Sequence, residues 1–137
     1  MKKYNVNFKG YWMDENRNSI PISSGIYLVY RCTYNEIVNK VNLLEIIYIG
    51  KSTNLQERIL NHEKREQFKS LCNNHEMLCY SIAEISAQNL DVVENALIFA
   101  QQPQLNDQYK DKFNYEESEF EIDGSCTLMK HTNFTIK

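Results

Sequence analysis

The sequence predicts an α+β fold, in which helices flank a small, central, mostly antiparallel β-sheet. Segments rich in β-branched and aromatic residues are separated by segments with helical periodicity. The chain has 137 residues, which suits one domain, because a second core of ordinary size needs a longer chain. We therefore expect a single domain over residues 1–137.

The first two strands are expected to form a hairpin. Residues 25–34 and 43–49 are rich in Ile, Val, Leu and Tyr, the residue types that favour strands. The polar stretch 35–42 joins them, which predicts an antiparallel pair with a long connection. Residues 14–24 are expected to be a loop.

A helix is expected after this hairpin. Thr53 and Gln56 have the spacing of a capping box, and the helix is predicted to continue to about Lys69. A third strand is predicted over residues 77–85, from its apolar and aromatic content.

A second helix is predicted over residues 88–101. Ser86 is placed to cap its start, and Pro103 ends it. Two strand-like runs follow, at residues 120–124 and 127–136, and the first of them ends in an Asp-Gly pair. An Asp-Gly pair between two such runs predicts a final hairpin.

Composition excludes several classes of protein. Hydrophobic residues make up 42% and charged residues 24% of the chain, which is enough apolar material for a folded core. No apolar run approaches the roughly 18 residues that a membrane span needs. The basic N-terminus is not followed by an apolar stretch, so no signal peptide is expected and a cytoplasmic location is predicted.

The cysteines do not resemble a secreted disulfide framework. Cys32 and Cys79 lie in apolar, strand-like runs and are expected to be buried thiols. Cys72, His75 and Cys79 offer three ligands within eight residues, but no fourth ligand follows and His62 is the only upstream candidate. A structural zinc site is therefore disfavoured.

The net charge of −3 is unevenly distributed. Residues 1–70 carry +4 and residues 71–137 carry −7. The positive half could present a phosphate-binding face, although a solvated acidic surface with no such partner explains the overall charge equally well.

Glu94 is the first candidate functional residue. On a helical wheel it lies among Leu90, Leu97 and Ile98, on the apolar face of the second helix. A carboxylate there is costly unless a cation or strong donors meet it. Two interpretations remain open, an internal ion pair with Arg or Lys and a metal ligand at the floor of a cleft.

A basic cluster is predicted on the first helix. Arg58, His62 and Arg65 are spaced by four and three residues, which places them on one helix face. Lys51 follows Gly50 just before this helix. The cluster indicates either a phosphate-binding surface, with Arg58 as a planar fork, or an ordinary exposed basic face.

The ordered set of these residues resembles the GIY-YIG nuclease family. One tripeptide opens the first predicted strand, a second closes the next strand, and the rest follow in the family's order. The matching residues are Gly25-Ile26-Tyr27, Tyr48-Ile49-Gly50, Arg58, His62, Glu94 and the turn Pro103-Gln104-Leu105-Asn106. The resemblance covers a core of residues 25–106 and implies a GIY-YIG endonuclease-like sheet. The extension 1–24 and the acidic, β-like tail 107–137 carry no assignable motif.

The resemblance implies a hydrolase that cuts phosphodiester bonds in DNA, with one Mg²⁺ or Mn²⁺ ion bound to Glu94. Arg58 would stabilise charge on the phosphate. Tyr27 is favoured as the general base, with Tyr48 positioning the water or the phosphate. His62 would relay the tyrosine proton or bind phosphate.

The predicted substrate-binding residues are Gly50, Lys51 and Asn106 from the same resemblance, with Asn106 as an anchor, and Arg65 from the basic helix face. Double-stranded DNA is the favoured partner, no membrane is expected, and oligomerisation is left open. Two alternatives also remain: a non-catalytic module that binds nucleic acid or protein, and a nuclease for RNA or single strands.

Overall fold

The computed structural model describes all 137 residues. It has six strands, three α-helices and two 3-10 turns, at Asp14–Ser19 and Ala87–Asn89. The strands are β1 (Lys2–Met13), β2 (Gly25–Asn35), β3 (Lys40–Ser52), β4 (Met77–Glu84), β5 (Ser118–Gly124) and β6 (Asn133–Ile136). The helices are α1 (Leu55–Leu60), α2 (Arg65–Ser70) and α3 (Leu90–Gln101).

The six strands form one sheet in the order β3-β2-β4-β1-β5-β6. Every neighbouring pair is antiparallel except β1 and β5, which are parallel. The prediction of an α+β fold with a mostly antiparallel sheet is therefore confirmed. No helix is long and apolar enough to cross a membrane.

Strand β1 is the main element that the sequence analysis missed. It lies in the extension 1–24, to which no motif and no strand were assigned, yet it is inside the sheet between β4 and β5. Val6 and Phe8 are buried, and the polar residues that alternate with them, Asn5, Asn7 and Lys9, are exposed. This alternation is typical of a strand with one face on the core.

The sheet buries a separate cluster of side chains on each face. Alternate residues of β2 serve the two clusters, with Ile26 and Leu28 on one face and Tyr27 and Val29 on the other. Helix α3 and the tail cover the first face, and α1 and α2 cover the second. Strand β3 forms one edge of the sheet, so groups from both layers can approach it there.

The β2–β3 hairpin is confirmed and aligns the two tripeptides. Tyr27 lies opposite Gly50, and Val29 lies opposite Tyr48. The predicted long connection was wrong, because both strands extend well beyond the tripeptides, from Gly25 to Asn35 and from Lys40 to Ser52, and residues 36–39 alone connect them.

The prediction of one continuous helix to Lys69 was wrong, because α1 ends at Leu60 and α2 begins at Arg65. The His62 ring explains the break, since its Nδ1 accepts a hydrogen bond from the backbone N–H of Lys64 at 3.0 Å. A side chain that bonds the nearby backbone competes with helix continuation.

Two local predictions also needed correction. The side chain of Asn54, not Thr53, caps α1, because Asn54 accepts a hydrogen bond from the backbone N–H of Glu57 at 3.1 Å. Strands β5 and β6 do pair antiparallel, but residues 125–132 connect them instead of a tight Asp-Gly turn. Gly124 does adopt a positive φ of 87°, which favours glycine.

Candidate active site

A cleft of about 260 Å³ lies at the edge of the sheet formed by β3. Tyr48 lines it from β3, Glu94 from α3, and Asn106 and Asp107 from the turn after α3. Glu63 lines it from the connection between α1 and α2. The cleft thus brings together residues from both layers that cover the sheet.

Glu94 is buried, with 8% of the residue exposed, as its place on the helical wheel predicted. Its carboxylate accepts no hydrogen bond, and its ion-pair partner is the ammonium of Lys51 at 4.0 Å. Burial raises the pKa of Glu94 to about 7, against the opposing effect of Lys51. This carboxylate therefore has acceptor capacity that the protein leaves unused.

Tyr27, Tyr48 and His62 form an aromatic cluster beside this carboxylate. The ring centroids of the two tyrosines are 6.2 Å apart, and the His62 ring lies edge-on to both. Tyr27 is fully buried, whereas Tyr48 is partly exposed and lines the cleft. Of the two phenols, only that of Tyr48 opens onto the cleft.

Burial raises the pKa of both phenols. For Tyr27 the neighbouring Tyr48 adds to this effect, and for Tyr48 the negative charge of Glu94 adds to it. The guanidinium of Arg58 opposes the increase at both hydroxyls. Arg58 is thus close enough to both phenols to favour their ionised forms.

The tautomer of His62 follows from its two hydrogen bonds. Nδ1 accepts from the backbone of Lys64, and Nε2 lies 2.6 Å from the Tyr27 hydroxyl oxygen. Burial and the nearby Arg58 lower the pKa of His62 to about 4. The neutral ring therefore carries its proton on Nε2, and this N–H donates a hydrogen bond to the Tyr27 hydroxyl oxygen.

Gly50 makes room for Tyr27, across the hairpin. A Cβ atom at position 50 would overlap the hydroxyl end of the Tyr27 ring. Gly50 is itself buried. Its lack of a side chain lets the phenol lie against β3, so Gly50 has a packing role besides the predicted role in substrate binding.

Asn106 anchors the turn after α3 to β3. Its side-chain oxygen accepts from the backbone N–H of Ile49 at 2.9 Å, and its side-chain nitrogen donates to the carbonyl of Ile49 at 2.8 Å. The side chain thus bonds the backbone as a neighbouring strand would, next to both Tyr48 and Gly50. This is the anchoring role that the sequence analysis proposed.

Lys51 forms an ion pair with Asp91, and Glu94 lies one helical turn further along α3. The hydrogen bond with Asp91 raises the pKa of Lys51. Lys51 therefore supplies a positive charge beside Glu94. Asp91 was not predicted as a site residue, although its spacing of three from Glu94 places it on the same side of α3.

Arg65 does not share the face of Arg58, which corrects the predicted basic cluster. The break before α2 turns Arg65 towards Asp14, to which it donates at 2.9 and 2.6 Å. Tyr80 donates to the same carboxylate at 2.5 Å. Arg65 is therefore engaged in an internal ion pair, and we withdraw its predicted role in substrate binding.

Arg58 is paired with Glu63 through both of its terminal nitrogens. Nη2 lies 3.0 Å from one carboxylate oxygen, and Nη1 contacts the other. The sequence analysis missed Glu63 because residues five apart do not face each other on a continuous helix. The break after Leu60 brings them together.

The structure contains no cluster of three or more His, Cys, Asp or Glu side chains arranged to hold a metal ion. Cys79 is buried, Cys72 is partly exposed and His75 is exposed. A metal ion at Glu94 would therefore have this carboxylate as its one buried protein ligand. Water and a substrate phosphate would have to complete the coordination.

Comparison of the chain with models of protein families, with curated proteins and with solved structures finds no match.

Proposed function

We propose that the protein is an endonuclease that hydrolyses phosphodiester bonds in DNA with the help of a divalent metal ion. The proposal rests on Glu94, a buried carboxylate without a hydrogen-bond donor that opens onto a cleft. The sequence resemblance to the GIY-YIG nuclease family supports it. On this proposal the sheet is the family's central sheet, with Tyr27 and Tyr48 on its neighbouring strands.

The donor set at Glu94 fits a hard divalent cation. Carboxylate oxygen is a preferred ligand of Mg²⁺ and Mn²⁺, and Mg²⁺ commonly keeps several waters and binds through one or two carboxylates and substrate phosphates. Bound there, such an ion would polarise the phosphate and stabilise the charge on the leaving oxygen. Glu94 would hold it in the cleft, next to Tyr48.

Arg58 would bind the scissile phosphate through its planar fork. Such a fixed donor is most effective at stabilising the charge that develops in the transition state, because the donor needs no reorganisation during the reaction. Arg58 is also close enough to Tyr27 and Tyr48 to lower the pKa of both phenols, against the stronger effect of burial.

The geometry favours Tyr48, rather than Tyr27, as the residue whose phenolate form accepts the proton of the attacking water. Tyr48 lines the cleft, whereas the Tyr27 hydroxyl is buried and accepts the Nε2–H of His62. Neutralising Glu94 would remove one cause of the raised pKa of Tyr48. Tyr27 and His62 would then position Tyr48, which exchanges the roles that the sequence predicted for the tyrosines.

Cleavage of plasmid DNA with Mg²⁺ or Mn²⁺ tests the proposal. Arg58→Ala and Glu94→Ala should each reduce the rate by about 10²–10³-fold, because each removes a group that contacts the reacting phosphate or its metal ion. Lys69→Ala and Glu119→Ala are matched controls, since both positions are exposed and lie outside the cleft. These controls should retain the wild-type rate.

Parallel assays on single-stranded DNA and on RNA define the substrate. Faster cleavage of duplex DNA is the expected result. The proposal is wrong if the wild type cuts no nucleic acid, or if the two alanine variants cut as fast as the wild type. Binding of DNA without cleavage, even with Mn²⁺, would instead indicate a binding module.

A further inference from the structure

Glu63 occupies the guanidinium of Arg58, which is the group that the proposed function assigns to phosphate binding. Both terminal nitrogens of Arg58 face the two oxygens of one carboxylate. A guanidinium binds a phosphate through the same fork, with two nitrogens on two oxygens. The carboxylate of Glu63 therefore has the geometry of a bound phosphate.

We infer that Glu63 is an internal substitute for a substrate phosphate, and that a nucleic acid must displace it from Arg58 in order to bind. The inference rests on the proposed function, because it takes Arg58 as the phosphate-binding residue. The inference gives Glu63 a role in the same site, in which this residue sets how tightly the site binds its substrate.

Glu63 is placed so that it can leave. Its side chain is 66% exposed, while that of Arg58 is 29% exposed. Arg58 is the partner of both of its side-chain hydrogen bonds. The residue lies in the short connection between α1 and α2, so its side chain can turn away without disturbing either helix.

The charge of Glu63 makes it a competitor over a wide pH range. Arg58 lowers the pKa of Glu63 to about 2. The carboxylate is therefore ionised at any pH at which the protein would act on DNA. Relief of the competition has to come from a competing anion, not from protonation.

The location of Glu63 adds a second effect. Glu63, Glu94 and Asp107 all line the cleft, and Lys64 is its lining cation. Lys64 is itself 3.6 Å from Asp107. With Glu63 in place, an isolated anion meets a negatively charged cleft and an occupied Arg58. A polymer with several phosphates gains further contacts that offset both obstacles.

Glu63→Gln should tighten the binding of a short, labelled DNA duplex by about two- to tenfold. This range corresponds to the small free energy of an exposed ion pair, together with the repulsion that the substitution removes. Binding is measured by fluorescence anisotropy in EDTA, so that neither cleavage nor a metal ion contributes. Glu63→Ala should change affinity in the same direction.

Glu66→Gln is the matched control. It removes the same charge three residues further along, at an exposed position whose ion-pair partner is Lys69. It should change affinity by clearly less than Glu63→Gln. Equal tightening by both variants would show a general charge effect and would overturn the inference.

The Arg58→Ala background tests the mechanism directly. There, adding Glu63→Gln should give no further tightening beyond the Glu66→Gln effect, because the group that Glu63 blocks is gone. A gain that persists without Arg58 overturns the inference, and so does a Glu63→Gln variant that binds no tighter or not at all.

Failure of the proposed function gives a different pattern. If the wild type binds DNA but cuts no nucleic acid, while Glu63→Gln binds DNA more tightly through Arg58, the proposed nuclease activity is refuted. The competition between Glu63 and DNA for Arg58 is then still supported. A wild type that cuts DNA, while Glu63→Gln binds no tighter, would refute only the role of Glu63.

Discussion

The Nε2 atom of His62 lies 2.6 Å from the hydroxyl oxygen of Tyr27, inside the protein. The other ring nitrogen accepts the backbone N–H of Lys64, which is always a donor. The histidine is therefore the donor towards Tyr27. In this tautomer it stabilises negative charge on that phenol, and it has no free nitrogen with which to take the phenol's proton. The predicted proton relay through His62 is not open in this arrangement.

The His62 tautomer can be observed directly. Long-range ¹H–¹⁵N NMR spectra at neutral pH should show the proton on Nε2, and the ring should remain neutral until the pH approaches about 4. A proton on Nδ1 at neutral pH would contradict the hydrogen-bond assignment.

The same lowered pKa predicts a loss of stability in acid. Between pH 6.5, the ordinary pKa of His, and about 4, the unfolded chain takes up a proton that the folded protein does not. The contribution of neutral His62 to the free energy of unfolding should therefore fall as the pH decreases through this range. His75→Ala, at an exposed position, should leave the slope unchanged, whereas His62→Gln should remove this part of it.

Glu94 predicts the opposite pH dependence. Its pKa is raised from 4.5 to about 7 in the folded protein. Between these values the folded state binds a proton that the unfolded state has lost, so stability falls as the pH rises. Glu94→Gln should raise the free energy of unfolding at pH 8 by about 1–3 kcal/mol while it abolishes the proposed cleavage.

Urea denaturation at pH 5 and pH 8 measures this effect of Glu94→Gln. The gain should be much smaller at pH 5, where Glu94 is mostly protonated in the folded protein. Glu119→Gln, at an exposed position of β5, should change stability little at either pH. A Glu94→Gln variant that is less stable than the wild type at pH 8 would show that the charged carboxylate has a strong partner.

The strands that carry the two tripeptides could be predicted from their β-branched and aromatic residues, and Glu94 could be placed from helical periodicity, because both signals are local. Strand β2 alternates between the two core clusters, and the wheel placed Glu94 among apolar residues of α3, where it is buried. Such patterns repeat along the sequence itself. The α+β fold and the hairpin between Tyr27 and Tyr48 followed from them.

The pairs that the sequence did not reveal depend on one break in a helix. A continuous helix would keep Arg58 and Arg65 on one face and would separate Arg58 from Glu63. The break near His62 instead brings Arg58 and Glu63 together and turns Arg65 away from Arg58. It comes from a side chain that bonds its local backbone, and neither propensity nor periodicity reports such a bond.

Strand β1 was missed for a different reason. Its buried residues Val6 and Phe8 are few and are flanked by Lys and Asn, so the segment lacks the apolar content of β2. Its place in the sheet depends on pairing with β4 and β5, which are distant in the sequence. The tertiary context, rather than propensity, decides such a strand.

Gly50→Ala should destabilise the protein through Tyr27. The new methyl group would overlap the hydroxyl end of the Tyr27 ring, and forcing an extra carbon into a packed region costs about 1–3 kcal/mol. The effect should be much smaller in a Tyr27→Ala background, because the overlapping ring is absent. Thermal unfolding of the four proteins in this double-mutant cycle measures the coupling. Additive effects would show that the strain lies elsewhere in β3.

Asp14 connects the first 3-10 turn to α2 and β4, and its removal should destabilise the fold without affecting phosphate binding. Arg65 and Tyr80 donate to its carboxylate at distances of 2.5 to 2.9 Å. Burial acts to raise the pKa of Asp14, but these hydrogen bonds outweigh it and hold the pKa below the ordinary value of 3.8. The stabilisation is therefore present above this pH and is lost as the pH falls through the lowered pKa.

Asp14→Asn should reduce the free energy of unfolding at pH 7 by about 2 kcal/mol, since it weakens hydrogen bonds to a charged acceptor. The deficit should shrink as the pH falls below 3.8 and through the lowered pKa, because the wild-type carboxyl then also becomes neutral. Glu15→Gln, at the exposed neighbouring position, is the control and should have little effect. Chemical denaturation across this pH range gives both curves. If the Asp14→Asn variant is as stable as the wild type at pH 7 but binds DNA more tightly, the ion pair is dispensable for the fold and the released Arg65 belongs to the substrate surface.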